Sequence, residues 1–366
     1  MENNNAMWNL INVVGIFTAA LVAGKFHRKK IFVSRLIYVS LLVLSVAICC
    51  VALEGISYLV LKVGDEGYYN QDFKNSIGLR DPREPLQLQG KQVILAIGDS
   101  FTYGLGVRYQ SSYPSQLEAM LRSTYSDVAV VNAGVPGIDT KMALDLLKRI
   151  YSKYEPSIVV LGFTSGDVLQ NQLAIDDSGD GITSSDANFV DTIRQSEKRY
   201  PKLFLMRTYL RQKTATFALM EYLYKNYMIK YLPPSAAAKN LGMGTQFQNT
   251  EHVLDEMCKF ISNKNKTKLV ILNIVPLVRF DAYPYKTLDK RLEEYAQSRN
   301  IHNINPLECF SKHSSSDLWV SIRDGHYNAE GNRVLSEAVS AYLIKHNLLA
   351  DDHPGEEVPR IDEGFE

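Results

Sequence analysis

The sequence predicts a three-layer α/β/α sandwich on a parallel sheet of about five strands, preceded by N-terminal transmembrane helices. Three observations carry that expectation. From Val93 onward short β-branched runs alternate with helical stretches, the pattern of βαβ units on a parallel sheet. Before about residue 61 the chain is dominated by two apolar runs. A length of 366 residues with 46% hydrophobic residues then leaves enough chain after those runs for one large core.

Composition narrows the function classes. Forty Lys+Arg balance 40 Asp+Glu, so no field favours nucleic acid as a partner. Aromatic residues at 10% are too many for a chain disordered throughout. No CxxC, HExxH or GxxxxGK[ST] occurs, which removes the usual signatures of structural zinc, zincins and Walker phosphate loops. No metal or organic cofactor is signalled.

Residues 1–61 read as a membrane anchor. Met7 to Gly24 and Leu36 to Leu53 carry no charge, and each is close to the roughly 20 apolar residues that a spanning helix needs. Between them Lys25, His27, Arg28, Lys29, Lys30 and Arg35 form a short basic loop, expected to stay cytoplasmic. Both ends of the hairpin then face outward and the remaining chain lies outside the cytoplasm, in the periplasm of a Gram-negative cell. The alternatives are a single span with the first run lying in the interface, or two buried core helices. A cleaved signal peptide fits poorly, since only Glu2 is charged before the first run.

Residues 62–89 read as a linker and 90–349 as the globular domain. Strands are expected at Val93 to Ile97, Val128 to Val131, Ile158 to Phe163 and Leu269 to Val275, with a fifth near His302 to Asn305. Helices are expected near Pro114 to Arg122, Thr140 to Tyr151, Pro284 to Arg299 and Glu330 to His346. An insertion over 168–247 is too long for a plain connection. Within it Arg211 to Tyr231 has a helical pattern, read either as a helix packed on the sheet or as a lid or membrane-facing helix. Seven acidic residues against Arg360 mark 350–366 as a solvated tail. Cys258 and Cys309 stand either as a disulfide or as two buried thiols. Asn265-Lys266-Thr267 is a glycosylation sequon only in a eukaryotic secretory pathway.

The chemistry begins where the first strand ends. Gly98-Asp99-Ser100 places a serine at the carboxyl end of a parallel strand, where open α/β sheets build their sites. It is not a G-x-S-x-G elbow, because Thr102 stands two residues after Ser100. A serine hydroxyl needs a base within hydrogen-bond reach, and imidazole suits neutral pH. His326 has Asp324 two residues before it to fix its tautomer. The other histidines lack an acid in so compact a setting.

The string Val93 to Gly104 (VILAIGDSFTYG) resembles the first block of the SGNH, or GDSL, hydrolase family, and the likeness extends over nearly all of Gly90 to Leu349. The resemblance implies a flavodoxin-like sandwich and an acyl-transfer chemistry with Ser100 as nucleophile. Asn132 to Asp139 (NAGVPGID) looks like the second block, which implies that Gly137 donates a backbone N–H to an oxyanion. Asp324-Gly325-His326 looks like the last block, with His326 as base and Asp324 as its partner. Asn75 to Asp81 (NSIGLRD) is similar to the run preceding the domain in membrane-anchored members.

Two departures stand out. The third block normally ends Gly-x-Asn-Asp, but here Gly162 is followed by Phe163-Thr164-Ser165-Gly166-Asp167, so Gly166 stands where the amide donor is expected. Ser165, Thr164, Asn171 or the Gly166 N–H itself are the alternatives. The last block is D-x-H rather than D-x-x-H. The resulting expectation is a membrane-anchored serine esterase or O-acyltransferase acting on O-acyl esters of carbohydrate or lipid, with water or a sugar hydroxyl as acceptor. The other reading is a non-catalytic SGNH-like domain that binds glycan or scaffolds a membrane assembly. Expected partners are the ester substrate and the lipid bilayer, with nucleic acid excluded and protein partners unspecified.

Overall fold

In the computed structural model the described residues are 30–64, 74–168, 213–231, 245–264, 266–321 and 324–349, with isolated positions at 12, 206, 209 and 210. The first apolar run, the basic residues Lys25 to Lys29, most of the 168–247 insertion and the tail after Leu349 lie outside them. In chain order the elements are α1 (Lys30–Gly64), β1 (Gln92–Gly98), α2 (Ser100–Tyr103), α3 (Tyr113–Leu121), β2 (Val128–Gly134), α4 (Thr140–Tyr154), β3 (Ile158–Phe163) and α5 (Ala215–Tyr231). There follow α6 (Thr245–Ser262), β4 (Lys268–Asn273), α7 (Lys286–Arg299), β5 (His302–Ile304), α8 (Leu307–Ser311), β6 (Trp319–Ser321), β7 (Asp324–Tyr327) and α9 (Ala329–Lys345).

The chain divides into two units, Met1–Val63 with Arg207–Met220, and Gly64–Met206 with Glu221–Glu366. In the first, α1 contains one stretch, Ile37–Leu61, long and apolar enough to cross a membrane. Its large side chains, from Ile37 to Val60, are mostly exposed. The stretch extends past Leu53, where the apolar run ends in the sequence, and includes Glu54. The Glu54 carboxylate accepts from the backbone N–H of Ala215 at 2.5 Å and of Thr216 at 3.0 Å. These are two of the four donors that a helix start leaves unpaired, here those of α5.

In the second unit five parallel strands lie in the order β2-β1-β3-β4-β5, the doubly wound 2-1-3-4-5 order. The strand cores are β-branched runs buried on both faces, which is why they read as continuous apolar segments. On one face Leu144, Leu147 and Ile150 of α4, Leu254 and Met257 of α6 and Leu292 of α7 pack on Leu95, Val131, Leu161 and Ile271. On the other, Leu117 and Leu121 of α3 and Leu335, Val339 and Leu343 of α9 pack on Ile94, Val130, Val160 and Val270. Local signals place the helices. Asp139 caps α4 by accepting from Met142 N, and Asn328 caps α9 by accepting from Gly331 N.

Two regions differ from the sequence expectation. α6 fills part of a region read as insertion and bare connection. Leu79 and Leu88, in the segment read as a linker, are buried in the core. Of the two states left open for Cys258 and Cys309, the structure has the free thiols, half-buried against the cores on opposite sides of the sheet.

The carboxyl ends of the central strands carry a row of glycines. Gly98 pairs with Gly134 on one side and with Gly162 on the other. α2 lies directly on this row. A Cβ on Gly134 would fall 2.1 Å from the Tyr103 nitrogen, and one on Gly162 would fall 2.5 Å from Thr102 Oγ1. Real Cβ atoms do not approach so closely, so only glycine lets the turn settle there. From the other side the buried Arg80 guanidinium donates to the carbonyls of Tyr103 at 2.6 Å, Gly104 at 2.8 Å and Val107 at 2.7 Å. The turn that carries Ser100 is thus seated on glycines and tied down at its exit.

Gly134→Ala is expected to destabilise the domain by about 1–3 kcal/mol or more, the usual cost of forcing atoms into a filled core. Thermal unfolding of the variant beside the wild type checks this, and an unchanged Tm would contradict the close packing of α2 on β2.

Candidate active site

Ser100, the first residue of α2, sits where β1 ends, and the strand order reverses on either side of β1. Such a switch point opens a crevice above the sheet. Asp99 caps the turn, its carboxylate accepting from the Phe101 N–H at 2.9 Å. Three loops meet at the crevice, those after β1, β2 and β3. Together with Ile274 and Pro276 they line a cavity of about 320 Å³, with Ser100, Gly137, Thr164, Ser165 and Gly166 on its wall.

His326 lies in β7, which pairs antiparallel with β6 through Trp319 opposite Tyr327 and Ser321 opposite Asp324. The sequence hides this strand because DGHY is short and mostly polar, and its partner is what makes it a strand. Tyr327, fully buried, donates its hydroxyl to the Val275 carbonyl at 2.6 Å and fixes the strand's inner end. The Phe101 ring lies 4.7 Å from the His326 ring, and its contact with Tyr327 is edge-on at 4.8 Å.

With the strand held, three side chains align across 226 residues of sequence. His326 Nε2 is 2.7 Å from Ser100 Oγ, and His326 Nδ1 is 2.5 Å from Asp324 Oδ1. The same Asp324 oxygen also accepts from the His326 backbone N–H at 3.0 Å. An aspartate that accepts from Nδ1–H leaves the Nε2 lone pair toward the serine, so the contacts specify the tautomer. The arrangement can take the serine proton and stabilise the imidazolium that results.

The turn that follows β2 forms part of the same wall. Val135, Pro136, Gly137 and Ile138 form a turn closed by Ile138 N donating to Val135 O at 3.4 Å, with Gly137 at φ +84°. Proline second and a positive-φ glycine third are the marks of a type II turn. At the third position Gly166 lines the cavity with no side chain. A Cβ added there would meet only Thr164 Oγ1, at 3.5 Å. Of the alternatives for a substitute donor, Thr164 has its N–H engaged with Asp167 Oδ2 at 2.8 Å, Ser165 lines the cavity, and Asn171 lies outside the described residues.

A model of the GDSL-like lipase/acylhydrolase family matches residues 96–334, well over half of the chain. The chain belongs to this family. Its members are serine esterases and hydrolases. Among solved structures it is similar to TesA, at 16% identity over 70% of this chain and 100% of that one with a TM-score of 0.43. It is also similar to the psychrotrophic esterase EstA from Pseudoalteromonas sp., at 13% identity over 70% and 99% with a TM-score of 0.39. A third similar structure is Axe2, an acetylxylan esterase from Geobacillus stearothermophilus, at 12% identity over 69% and 93% with a TM-score of 0.40. No curated protein sequence matches the chain.

The sequence of this GDSL-family chain did not announce the acids beneath the serine. Burial pushes the Asp99 carboxyl up to about 6, against the pull of the Phe101 N–H, the nearby His326 and the Thr164 hydroxyl. Asp167, fully enclosed, is held well above the carboxylate range by burial first and by Asp99 second. Asp167 had no sequence signal of its depth. Among the described residues no cluster of His, Cys, Asp and Glu suits a metal ion.

The raised Asp167 carboxyl predicts a pH effect on stability. Unfolded, it ionises near the usual carboxyl value of about 3.9; folded, it keeps its proton to higher pH. Stability from this group is therefore greatest at low pH and falls as pH rises from the unfolded value through the folded one. Asp167→Asn imitates the protonated acid and keeps an acceptor for the Thr164 N–H. Its Tm should exceed that of the wild type by a margin that widens from pH 5 to pH 8. A margin that is flat or narrows with rising pH would contradict the assignment.

Proposed function

We propose that this chain is a membrane-anchored serine esterase or O-acyltransferase in which Ser100 is the nucleophile, His326 the general base and Asp324 its orienting partner. The observation that carries the reading is the unbroken relay from Ser100 Oγ through both nitrogens of His326 to Asp324, at 2.7 and 2.5 Å. Ser100 Oγ attacks the ester carbonyl while His326 Nε2 takes its proton. The tetrahedral oxyanion is met by the N–H groups of Ser100 and Gly137, with the Gly166 backbone at the third position. Collapse expels the alcohol, which receives the proton from His326, and leaves an acyl group on Ser100. Water or a sugar hydroxyl then attacks the acyl-enzyme, giving up its proton to His326, and the serine is released as acid or new ester forms.

The walls of the cavity favour a small acyl group. Phe101, Ile138, Ile274 and Pro276 provide apolar surface, and about 320 Å³ is at the small end of ligand sites, which run from roughly 300 to 1,000 Å³. O-acylated carbohydrate of the cell envelope is the proposed substrate class, with lipid esters as the alternative. Ile37–Leu61 is the proposed anchor. The basic residues from Lys25 to Arg35 precede it and would stay in the cytoplasm, so the span delivers the domain to the other side whether or not Met7 to Gly24 also crosses. In a Gram-negative cell that side is the periplasm. Residues 90–349 form the proposed catalytic domain.

The missing side chain at Gly166 favours the second reading, a domain that binds glycan without turning it over. The aligned Ser100, His326 and Asp324 argue against it, since binding alone has no use for that relay. Hydrolysis of p-nitrophenyl acetate, butyrate and octanoate by the full chain in detergent separates the two. Ser100→Ala and His326→Ala should each lose on the order of 10⁴-fold in kcat. Gly166→Asn should raise kcat by about 10²-fold at unchanged Tm, because one oxyanion donor typically contributes about 10²–10³ and the Cβ has room. Equal rates in the wild type and Ser100→Ala would sink the enzyme reading.

A further inference from the structure

Gly166 is a glycine that its own backbone does not ask for. It lies in the helical residues 165–168 after β3, and it is not among the glycines held at positive φ. A helix disfavours glycine, so the choice has another reason. Close packing is not that reason. Among the described residues an added Cβ would meet only Thr164 Oγ1, at 3.5 Å, which is ordinary contact. What the residue leaves is room, and the room borders the cavity that holds Ser100.

The lining beside Gly166 is polar. Thr164 and Ser165 precede it on the cavity wall, and the Asp99 carboxyl lies within reach of the Thr164 hydroxyl. Thr164 is only 9% exposed and is fixed by its N–H, which is donated to Asp167 Oδ2 at 2.8 Å. An alkyl group seated there would strip water from these hydroxyls and return no hydrogen bond, whereas a polyol would answer them. The chemistry has a use for such a group. As Ser100 attacks an ester, charge develops on the carbonyl oxygen, and each donor placed at that oxygen typically contributes about 10²–10³ in rate. Residue 166 has no side chain to supply one. A substrate can bring its own: in an ester of a vicinal diol, the free hydroxyl on the neighbouring carbon can fold back onto the oxyanion. That hydrogen bond strengthens as the charge forms, so it stabilises the transition state more than the bound ester.

We propose that the room at Gly166 seats a hydroxyl of the substrate's own alcohol portion, on the carbon next to the ester, and that this hydroxyl completes the oxyanion site. The substrate class is then an ester of a vicinal diol, as in an O-acylated sugar, and not an ester of a simple alcohol. The hydroxyl donates a hydrogen bond and keeps its proton; the bonds made and broken are those of acyl transfer to Ser100. The proposal rests on Ser100 being the nucleophile.

The test gives the full chain in detergent three acetates: the monoacetate of trans-vicinal cyclohexanediol, the O-methyl ether of that monoacetate, and cyclohexyl acetate. Each kcat/KM, which reports acylation, is divided by the ester's rate of alkaline hydrolysis to remove intrinsic reactivity. The hydroxy ester should exceed both others by about 10²-fold, the contribution of one donor. Gly166→Ala fills the room without adding a donor and should lower the value for the hydroxy ester alone. Gly166→Asn fills it with a donor and should raise cyclohexyl acetate, closing the gap. Turnover of p-nitrophenyl acetate beside Ser100→Ala reports the nucleophile separately. If that turnover depends on Ser100 while the three corrected values are equal, or the hydroxy ester is not turned over, the proposal falls and the nucleophile stands. A methyl ether as good as the hydroxy ester would also overturn it, since bulk and not the hydrogen would be recognised. So would a preference that persists undiminished in Gly166→Ala. Rates unchanged in Ser100→Ala would remove the nucleophile and the proposal with it.

Discussion

The structure depends on one close approach, that of the Ser100 turn onto the ends of three parallel strands. A helix that starts directly at the end of a buried strand must cross over its neighbours, and any side chain there would lift it off. Gly134 and Gly162 remove those side chains on either side of Gly98. With α2 flat on the sheet, Ser100 faces the crevice at the switch point. Phe101 turns toward His326, and the carbonyls at the end of the turn meet Arg80. Hydrogen bonds from a buried guanidinium to three carbonyls hold strongly, since charged donors form stronger bonds than neutral ones.

The histidine is positioned by a different device. β7 is a four-residue strand outside the main sheet, held by pairing with β6, by the Tyr327 hydroxyl on Val275 and by aromatic contacts to Phe101 and Phe310. A strand directs alternate side chains to one side, so Asp324 and His326 emerge together. That geometry explains why D-x-H serves here: two residues along a strand restore the same side, where a loop or helical turn would need another spacing. The serine and the histidine are thus placed by separate parts of the fold that share Phe101 and Tyr327.

Much of this was legible in the sequence, for physical reasons that also explain the rest. The five strands read clearly because buried parallel strands must be apolar on both faces, and Ile158–Phe163 was bounded to the residue. Ser100, His326 and Asp324 were legible as a serine at a strand end and a histidine beside an acid. The strand character of Asp324–Tyr327 was hidden, because its residues are polar and only β6 makes it a strand. The full length of the apolar stretch in α1 was hidden by Glu54, whose charge ends a hydropathy count but is answered by two N–H groups distant in sequence. Arg80 sits in a polar run that reads as linker, and its burial is decided by carbonyls more than 20 residues away. The depth of Asp167 and the open space at Gly166 are likewise properties of the assembled crevice.

In the proposed mechanism Ser100 reacts only through His326, and a covalent probe tests that link most directly. The full chain is treated with an alkyl fluorophosphonate and the modified peptide is identified by mass spectrometry, beside His326→Ala, in which the serine is intact. A single adduct on Ser100 is expected in the wild type, formed far more slowly or not at all in His326→Ala. An adduct on another residue, or labelling of Ser100 at the same rate in both proteins, would contradict it.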